Sequence, residues 1–379
     1  MTETATFDGA PPAGTINLGI GQPSMDLLPL NLLCKASDMY FQSAHALDLN
    51  YGTLSGDHRF LLALAGFLSR EYDVPVDPGS LMVTAGVSQA LDLVCTVFTK
   101  PGDTVFVEEP SYFLAFKIFE DHGLNIVGIP TDGDGLDVAY LSSKLSEVRP
   151  SLLYTIPGFQ NPGGQCLSLD RRKALAALSK EHDFLIVADE VYQSLYYRER
   201  PPPAMATMID KGQVVSLGSF SKILAPALRL GWLQTSRPYL DQLLSNGMVN
   251  SGASLNHYTS HIIRHAIDAG LLEQNILKLR SVLGDRLEAM DAALAKYLAG
   301  AVEWYKPDGG YFFWVRSKDG LDMGPLKRRA AKLETGFQPG NAFSSNGGFN
   351  SHFRLSFAPY DERDITEAVR RLAPLFPPS

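Results

Sequence analysis

VVSLGSFSKILAPALRLGW, residues 214–232, opens on an apolar run, turns through Ser219, Ser221 and Lys222, and reaches Arg229 and Gly231. A short apolar run ended by Gly and Ser reads as a buried strand. Beyond it, two hydroxyls, the amides of a turn and a guanidinium seven residues past the lysine make a phosphate cradle around one amine. Such an amine can form a Schiff base. Alone, Ser-Phe-Ser-Lys is equally a Ser-rich turn ending in a solvated lysine, so the neighbouring stretches decide.

Three of them bear on the question. FLIVADEVYQSL, residues 184–195, is a buried strand that delivers Asp189 at its C-terminal end and Tyr192 three residues on. Ligands of open α/β sheets bind at such strand ends. YTIPGFQNPGG, residues 154–164, places Asn161 and Pro162 just past another strand. VTAGVSQALDL, residues 83–93, is a strand, then Gly86, then Ser88 and Gln89 opening a helix whose free amides suit an anion. Each has an ordinary alternative: a carboxylate capping a turn, an Asn-Pro turn, a plain N-cap.

Between about residues 57 and 189, short apolar runs alternate with helical patterns, which predicts an α/β fold with a mostly parallel sheet lying between helices. Strands are expected at 81–84, 104–107, 125–129, 151–156, 184–188 and 214–217, all of the buried central kind. Leu61, Leu64, Ala65 and Leu68 share one helical face, as do Leu91, Val94, Cys95 and Phe98. After about residue 254 the pattern changes to helices over 260–269 and 272–298, strands at 302–304, 311–315 and 353–357, and a closing helix over 361–372. That predicts a smaller α+β domain. The expected organisation is an N-terminal segment, 1–45, joining the small domain, a large domain over 46–252 and a small C-terminal domain over 253–379. The boundary is a change of pattern, since no linker or repeat marks it.

The 379 residues carry 33 Lys and Arg against 41 Asp and Glu, a formal net charge of -8. That field repels nucleic acid and anionic membrane. Cys34, Cys95 and Cys166 are the three cysteines, too far apart for a zinc knuckle and odd in number, which suits a reducing cytoplasm. The acidic start, MTETATFDGAPPAG, is neither signal nor transit peptide and reads as a frayed tail. No apolar run approaches the roughly 20 residues that cross a bilayer. His257 and His261, four apart, read as a polar helix face, so no metal is expected.

Taken together, the stretches resemble the class I/II aminotransferases among the fold-type-I pyridoxal 5'-phosphate enzymes. The resemblance runs through INLGIGQP, LNYGTLSG, VTAGVSQALDL, EEPSYF, the Asn-Pro turn, ADEVY, SFSK with its arginine, PDGGYFFWV and FRLSFA, nine elements in family order. The phrasing of GGYFFWV and FRLSFA is most similar to the kynurenine/2-aminoadipate aminotransferase branch.

Carried over by position, the resemblance implies that Lys222 is the Schiff-base lysine and Asp189 the acid that pairs with the pyridine nitrogen. Tyr192 and Asn161 match the groups that hydrogen-bond the cofactor's phenolic oxygen, and Tyr112 matches the aromatic that stacks on its ring. The phosphate falls to Val87 and Ser88 on one side and to Ser219, Ser221 and Arg229 on the other. Tyr51 matches a tyrosine that completes the phosphate site of a neighbouring subunit, which implies a homodimer. Arg354 matches the fork for the substrate's α-carboxylate, with Gly21 and Asn161 nearby. The substrates implied are a small-molecule amino acid and a 2-oxo acid. Two positions depart from the usual pattern: Gly163-Gly164 where Thr-Gly is commoner, and Val87-Ser88 where Ser-Gln is frequent. The same scaffold also runs eliminations, replacements and cyclisations, and an aminotransferase-like domain serves as the effector-binding half of some regulators. The regulator reading requires a basic winged-helix domain ahead of the cofactor domain, whereas here the family's first motif begins near Ile16.

Overall fold

The computed structural model describes residues 14–376. The stretch read as a tail lies, up to residue 13, outside the described residues. A two-residue strand, β1 (Ile16–Asn17), leads into the molecule. The strands that follow are β2 (Leu81–Thr84), β3 (Thr104–Glu109), β4 (Asn125–Asp132), β5 (Gly135–Leu136), β6 (Leu152–Thr155), β7 (Leu185–Asp189), β8 (Val214–Ser219) and β9 (Gly231–Thr235). These eight form one sheet in the order β2-β9-β8-β7-β6-β3-β4-β5.

The pairs β8–β7, β7–β6, β6–β3 and β3–β4 are parallel. Strand β9, which the apolar runs did not reveal, lies antiparallel between β2 and β8. Strand β2 therefore runs in the same direction as β8, and the C-terminal ends of β2, β3, β6, β7 and β8 open on one edge.

Alternation along the central strands splits the interior in two, as a period of two residues requires. Val105, Val107, Tyr154, Val187 and Leu217 join the larger apolar cluster. Phe106, Leu153, Ile186 and Val214 face a second cluster, filled by the helices Val138–Leu145 and Leu169–Glu181. A sheet buried on both faces fixes its edge loops in place. Strand β4 is the exception among the expected central strands: of its eight residues only Ile129 is buried. Outside it stands only the two-residue β5, and three residues of β4 are exposed.

The remaining strands are β10 (Val302–Trp304), β11 (Phe312–Ser317), β12 (Thr335–Gly336), β13 (Gln338–Pro339) and β14 (His352–Ser356). Four of them make an antiparallel sheet ordered β10-β11-β14-β13, while β12 pairs with β1. Strands β12 and β13 and the helix Met323–Lys332 escaped the sequence reading; two-residue strands carry too little periodicity to be seen. The long helix Leu271–Tyr297 matches its expected span to within one residue at each end.

Candidate active site

Five strand ends on one edge each deliver a loop. After β2, Gly86 adopts φ 84° and begins the helix Val87–Phe98 without any side-chain cap. The first helical bond runs from Ala90 N–H to Gly86 O, 3.1 Å, so the amides of Val87 and Ser88 point outward at the positive end of the helix dipole. Across from them, Ser219 accepts from Ser221 N–H at 3.0 Å and donates to the Ser221 hydroxyl at 2.9 Å. Arg229, in the left-handed region at φ 45°, donates to Ala85 O at 3.1 Å and to Pro226 O at 3.3 Å. Among the described residues no carboxylate neutralises it.

Backbones approach closely here. A Cβ on Gly231 would lie 2.6 Å from Gly218 O and 2.9 Å from Gly86 Cα, and one on Gly86 would lie 3.0 Å from the Arg229 guanidinium. Two amides, two hydroxyls and an unneutralised guanidinium suit a phosphate.

Asp189 ends β7 and is buried, accepting from Tyr154 O–H at 2.8 Å and from Val191 N–H at 3.4 Å. Burial pushes its carboxyl up to about 6, against the pull of Tyr154, Val191 and the nearby Lys222. Lys222 follows β8, with Nζ donating to Gly21 O at 3.2 Å and lying 5.5 Å from the Tyr311 ring centroid. Burial, then the positive charge of Arg354, lowers its ammonium to about 8, while Asp189 pulls the other way. With that value the amine is still mostly protonated at neutral pH, but it gives up its proton far more readily than an ordinary lysine. Tyr112, past the cis Glu109-Pro110 bond, feels both Asp189 and Arg354, and burial pushes its phenol up to about 12. Tyr192 is buried 5.3 Å from Tyr311, centroid to centroid, and its phenol is raised chiefly by burial.

Arg354, in the middle of β14, is only 4% exposed. It donates to Asn161 Oδ1 at 2.9 Å and to Gly19 O at 2.9 Å, and its Nε has no partner. Its guanidinium stacks 4.1 Å from the Phe312 centroid and 4.9 Å from that of Phe343. No carboxylate lies within ion-pair reach among the described residues. Desolvation lowers its pKa to about 10. Gly21 keeps the approach open: a Cβ there would sit 3.3 Å from the guanidinium.

The structure thus brings Lys222, Asp189, Tyr112, Tyr192, Asn161, Gly21 and Arg354 together, with Val87, Ser88, Ser219, Ser221 and Arg229 grouped where a phosphate would fit. Tyr51 stands apart, 82% exposed on the surface.

Sequence reasoning missed Tyr154, Tyr311, Phe312 and Phe343, apolar-looking strand and loop residues whose contacts only the fold reveals. It also missed Glu108, one residue before the second Glu of EEPSYF. Buried, Glu108 accepts from Thr155 O–H at 2.7 Å, Ile156 N–H at 3.0 Å and Gln160 Nε2 at 3.2 Å, and burial raises it to about 7. Gln160 also donates to Pro110 O at 2.7 Å, which ties the Tyr112 loop to the Asn161 loop.

The polar-face reading of the histidine pair is corrected. His261 is 1% exposed, its Nε2 3.2 Å from that of His257, and it stacks on Tyr40. The helix His257–Asp268 packs against Leu30–Ser43 on that side, which spacing alone does not disclose. At Gly163, where Thr is commoner, an added Cβ would fall 2.0 Å from Gln165 Oε1, the end of a side chain that can swing away, while Gly164 sits at φ 80°.

A family model described as aminotransferase class I and II matches residues 13–372. Aromatic-amino-acid aminotransferase 1 of Thermococcus litoralis is 33% identical over 94% of this chain and 87% of that protein. An uncharacterised HTH-type transcriptional regulator of Bacillus subtilis is 28% identical over 96% of this chain and 74% of its own length. The crystal structure of LysN, an α-aminoadipate aminotransferase from Thermus thermophilus complexed with N-(5'-phosphopyridoxyl)-L-leucine, superposes with a TM-score of 0.86 at 30% identity, covering 96% of this chain and 92% of that one. The matched family model, the similar aminotransferases and their shared fold show that the chain belongs to the class I and II aminotransferases, pyridoxal 5'-phosphate enzymes of fold type I that transfer amino groups.

Proposed function

We propose that Lys222 carries the cofactor and moves the α-proton of an L-amino acid whose carboxylate is held by Arg354, with a 2-oxo acid as acceptor. The observation that carries the reading is Arg354: a buried guanidinium with an idle Nε and no acidic partner is completed by a carboxylate from outside. Bound in this cleft, pyridoxal 5'-phosphate supplies the sink for the electrons left on carbon.

The chain's own groups do the rest. Asp189, with Tyr154 at its back, would keep a proton on the ring nitrogen of the bound cofactor. Asn161 and Tyr192 would hold its phenolic oxygen, Tyr112 would cover its ring, and Val87, Ser88, Ser219, Ser221 and Arg229 would hold its phosphate. Lys222, half-buried and with its ammonium lowered to about 8, takes and returns the proton as a base matched to neutral pH.

We assign residues 46–252 to a large cofactor domain, and 1–45 with 253–379 to a small one. The working unit is a homodimer. Tyr51 is 82% exposed among Leu47 at 68% and Leu49 at 72%, a surface suited to a second copy whose phosphate site it completes. The acidic charge and three free cysteines favour the cytoplasm. Among the described residues no helix is long and apolar enough to cross a membrane.

The test is a half-reaction panel on purified protein, beginning with aromatic amino acids and 2-aminoadipate, the substrates named for relatives. An amino acid alone should shift the cofactor's visible band, and a 2-oxo acid should restore it. Lys222→Ala should cut turnover by about 10⁴-fold, the upper range for a positioned base. A Lys222→Ala variant that turns over normally defeats the assignment.

A further inference from the structure

Lys222 sits in the turn after β8, and that turn leaves main-chain carbonyls without helical or sheet partners. Two consecutive ones are taken by side chains from distant elements. Asn275, on the helix Leu271–Tyr297, donates to Ile223 O at 2.9 Å. Tyr311, just before β11, donates its phenolic O–H to Lys222 O at 3.2 Å. Among the described residues the Lys222 carbonyl accepts no other hydrogen bond. The ring of the same tyrosine lies 5.5 Å from Lys222 Nζ, so one side chain touches the lysine at both ends.

Tyr311 is itself held rigidly. It is 1% exposed, its carbonyl accepts from Phe357 N–H at 3.1 Å, and the preceding Gly310 donates to Leu195 O at 2.8 Å. The next residue, Phe312, packs 4.1 Å under the Arg354 guanidinium. Two adjacent residues at the start of β11 thus abut the lysine and the arginine, and a shift of one is felt at the other.

We propose that Tyr311 is a positioning residue for Lys222, its hydroxyl anchoring the lysine's own carbonyl and its backbone coupling that anchor to the Arg354 side of the cleft. The inference rests on the reading of Lys222 as the cofactor lysine. At 3.2 Å the bond is long, and contacts of this kind shorten when substrate draws a cleft closed.

The experiment compares wild type, Tyr311→Phe, Tyr311→Met and Lys222→Ala as full-length chains. Each is stripped of cofactor and mixed with pyridoxal 5'-phosphate, and covalent capture is followed by borohydride trapping and mass spectrometry. Tyr311→Phe should capture about tenfold more slowly but to the same final occupancy. In the reloaded enzyme kcat should fall about tenfold with KM for the amino acid within twofold, the loss of one hydrogen bond placing the base. Tyr311→Met, which fills the space without hydroxyl or ring, should be at least as slow. Matched thermal melts of wild type and Tyr311→Phe separate positioning from folding. Capture and kcat within twofold of wild type in Tyr311→Phe, or a rise in KM alone, overturn the inference and leave the lysine assignment standing. Undiminished capture by Lys222→Ala overturns the assignment itself.

Discussion

Two buried arginines differ in how far the chain itself satisfies them. Arg172, fully buried beneath β7, donates to Leu167 O at 2.8 Å, Pro203 O at 3.1 Å and Pro157 O at 2.6 Å, with Glu190 at 3.8 Å. Glu190 in turn accepts from Met205 N–H, Ala206 N–H and the Ser216 hydroxyl, at 2.7, 3.1 and 2.6 Å. Everything is matched within the chain. Arg354, as deeply buried, has one amide oxygen, one carbonyl and two aromatic faces, and no anion. A buried cation with no counter-charge among the described residues is costly to keep, and that cost is what supports the proposed carboxylate site there. Asp189 and Glu190 repeat the division on neighbouring residues: the first turns to the cleft, the second to the scaffold.

The contrast breaks most visibly at Arg354. Arg354→Lys removes the fork and should lower kcat/KM about 10³-fold, ~4 kcal/mol, for amino acid and oxo acid alike, with little change in the melting temperature. Retained kcat/KM together with a collapsed melting temperature would place Arg354 with Arg172 as scaffold.

Arg172→Leu should do the reverse. It strands Glu190 without its cation and should lower the unfolding free energy by about 3 to 4 kcal/mol in denaturant titration, while kcat per folded molecule stays unchanged. Adding Glu190→Gln should recover part of the loss.

The smallest effect sharpens the Asp189–Glu190 pair. Asp189 is raised from 3.8 to about 6 by burial. Below about pH 4 the folded and unfolded chains both keep this proton. As pH rises toward 6 the unfolded chain releases it first, so the folded state loses stability, and the loss is complete above that value. In cofactor-free protein Asp189→Asn should therefore gain on wild type by at most roughly 3 kcal/mol between pH 4 and 6 and keep that lead unchanged above, read from denaturant midpoints at each pH. A constant difference across that window removes Asp189 from the group of unmatched charges.

The scaffold was legible where its signal is local. The strand runs of the large sheet and the spans of the long helices stand in the sequence as apolar periodicity, and the strand ends led directly to Asp189, Asn161 and Lys222. Strand β9 was hidden because its Gly-Trp-Leu-Gln-Thr follows a strained turn and lacks alternation. Arg354 could be named by resemblance, but not the two aromatic faces that hold it, since Phe312 and Phe343 look like any core residues. Glu108 was passed over for a related reason: an acid inside an apolar strand declares burial only once its three donors are in place. Pairings across long sequence separation leave no local trace, and the second rank of the site is built almost wholly from them.

The glycines at the phosphate end bear on how the enzyme could change. There main chain rests on main chain, Gly231 against Gly86 and Gly218, and the obstruction to an added methyl is backbone that has no rotamer to escape into. Around Arg354 the walls are side chains, Phe312 and Phe343, which a mutation can resize one at a time. Under selection for a new amino donor, accepted substitutions should therefore gather around the arginine, while the cofactor's grip is inherited unaltered. The geometry leaves the enzyme free to drift in what it transaminates and nearly fixed in what it uses to do so.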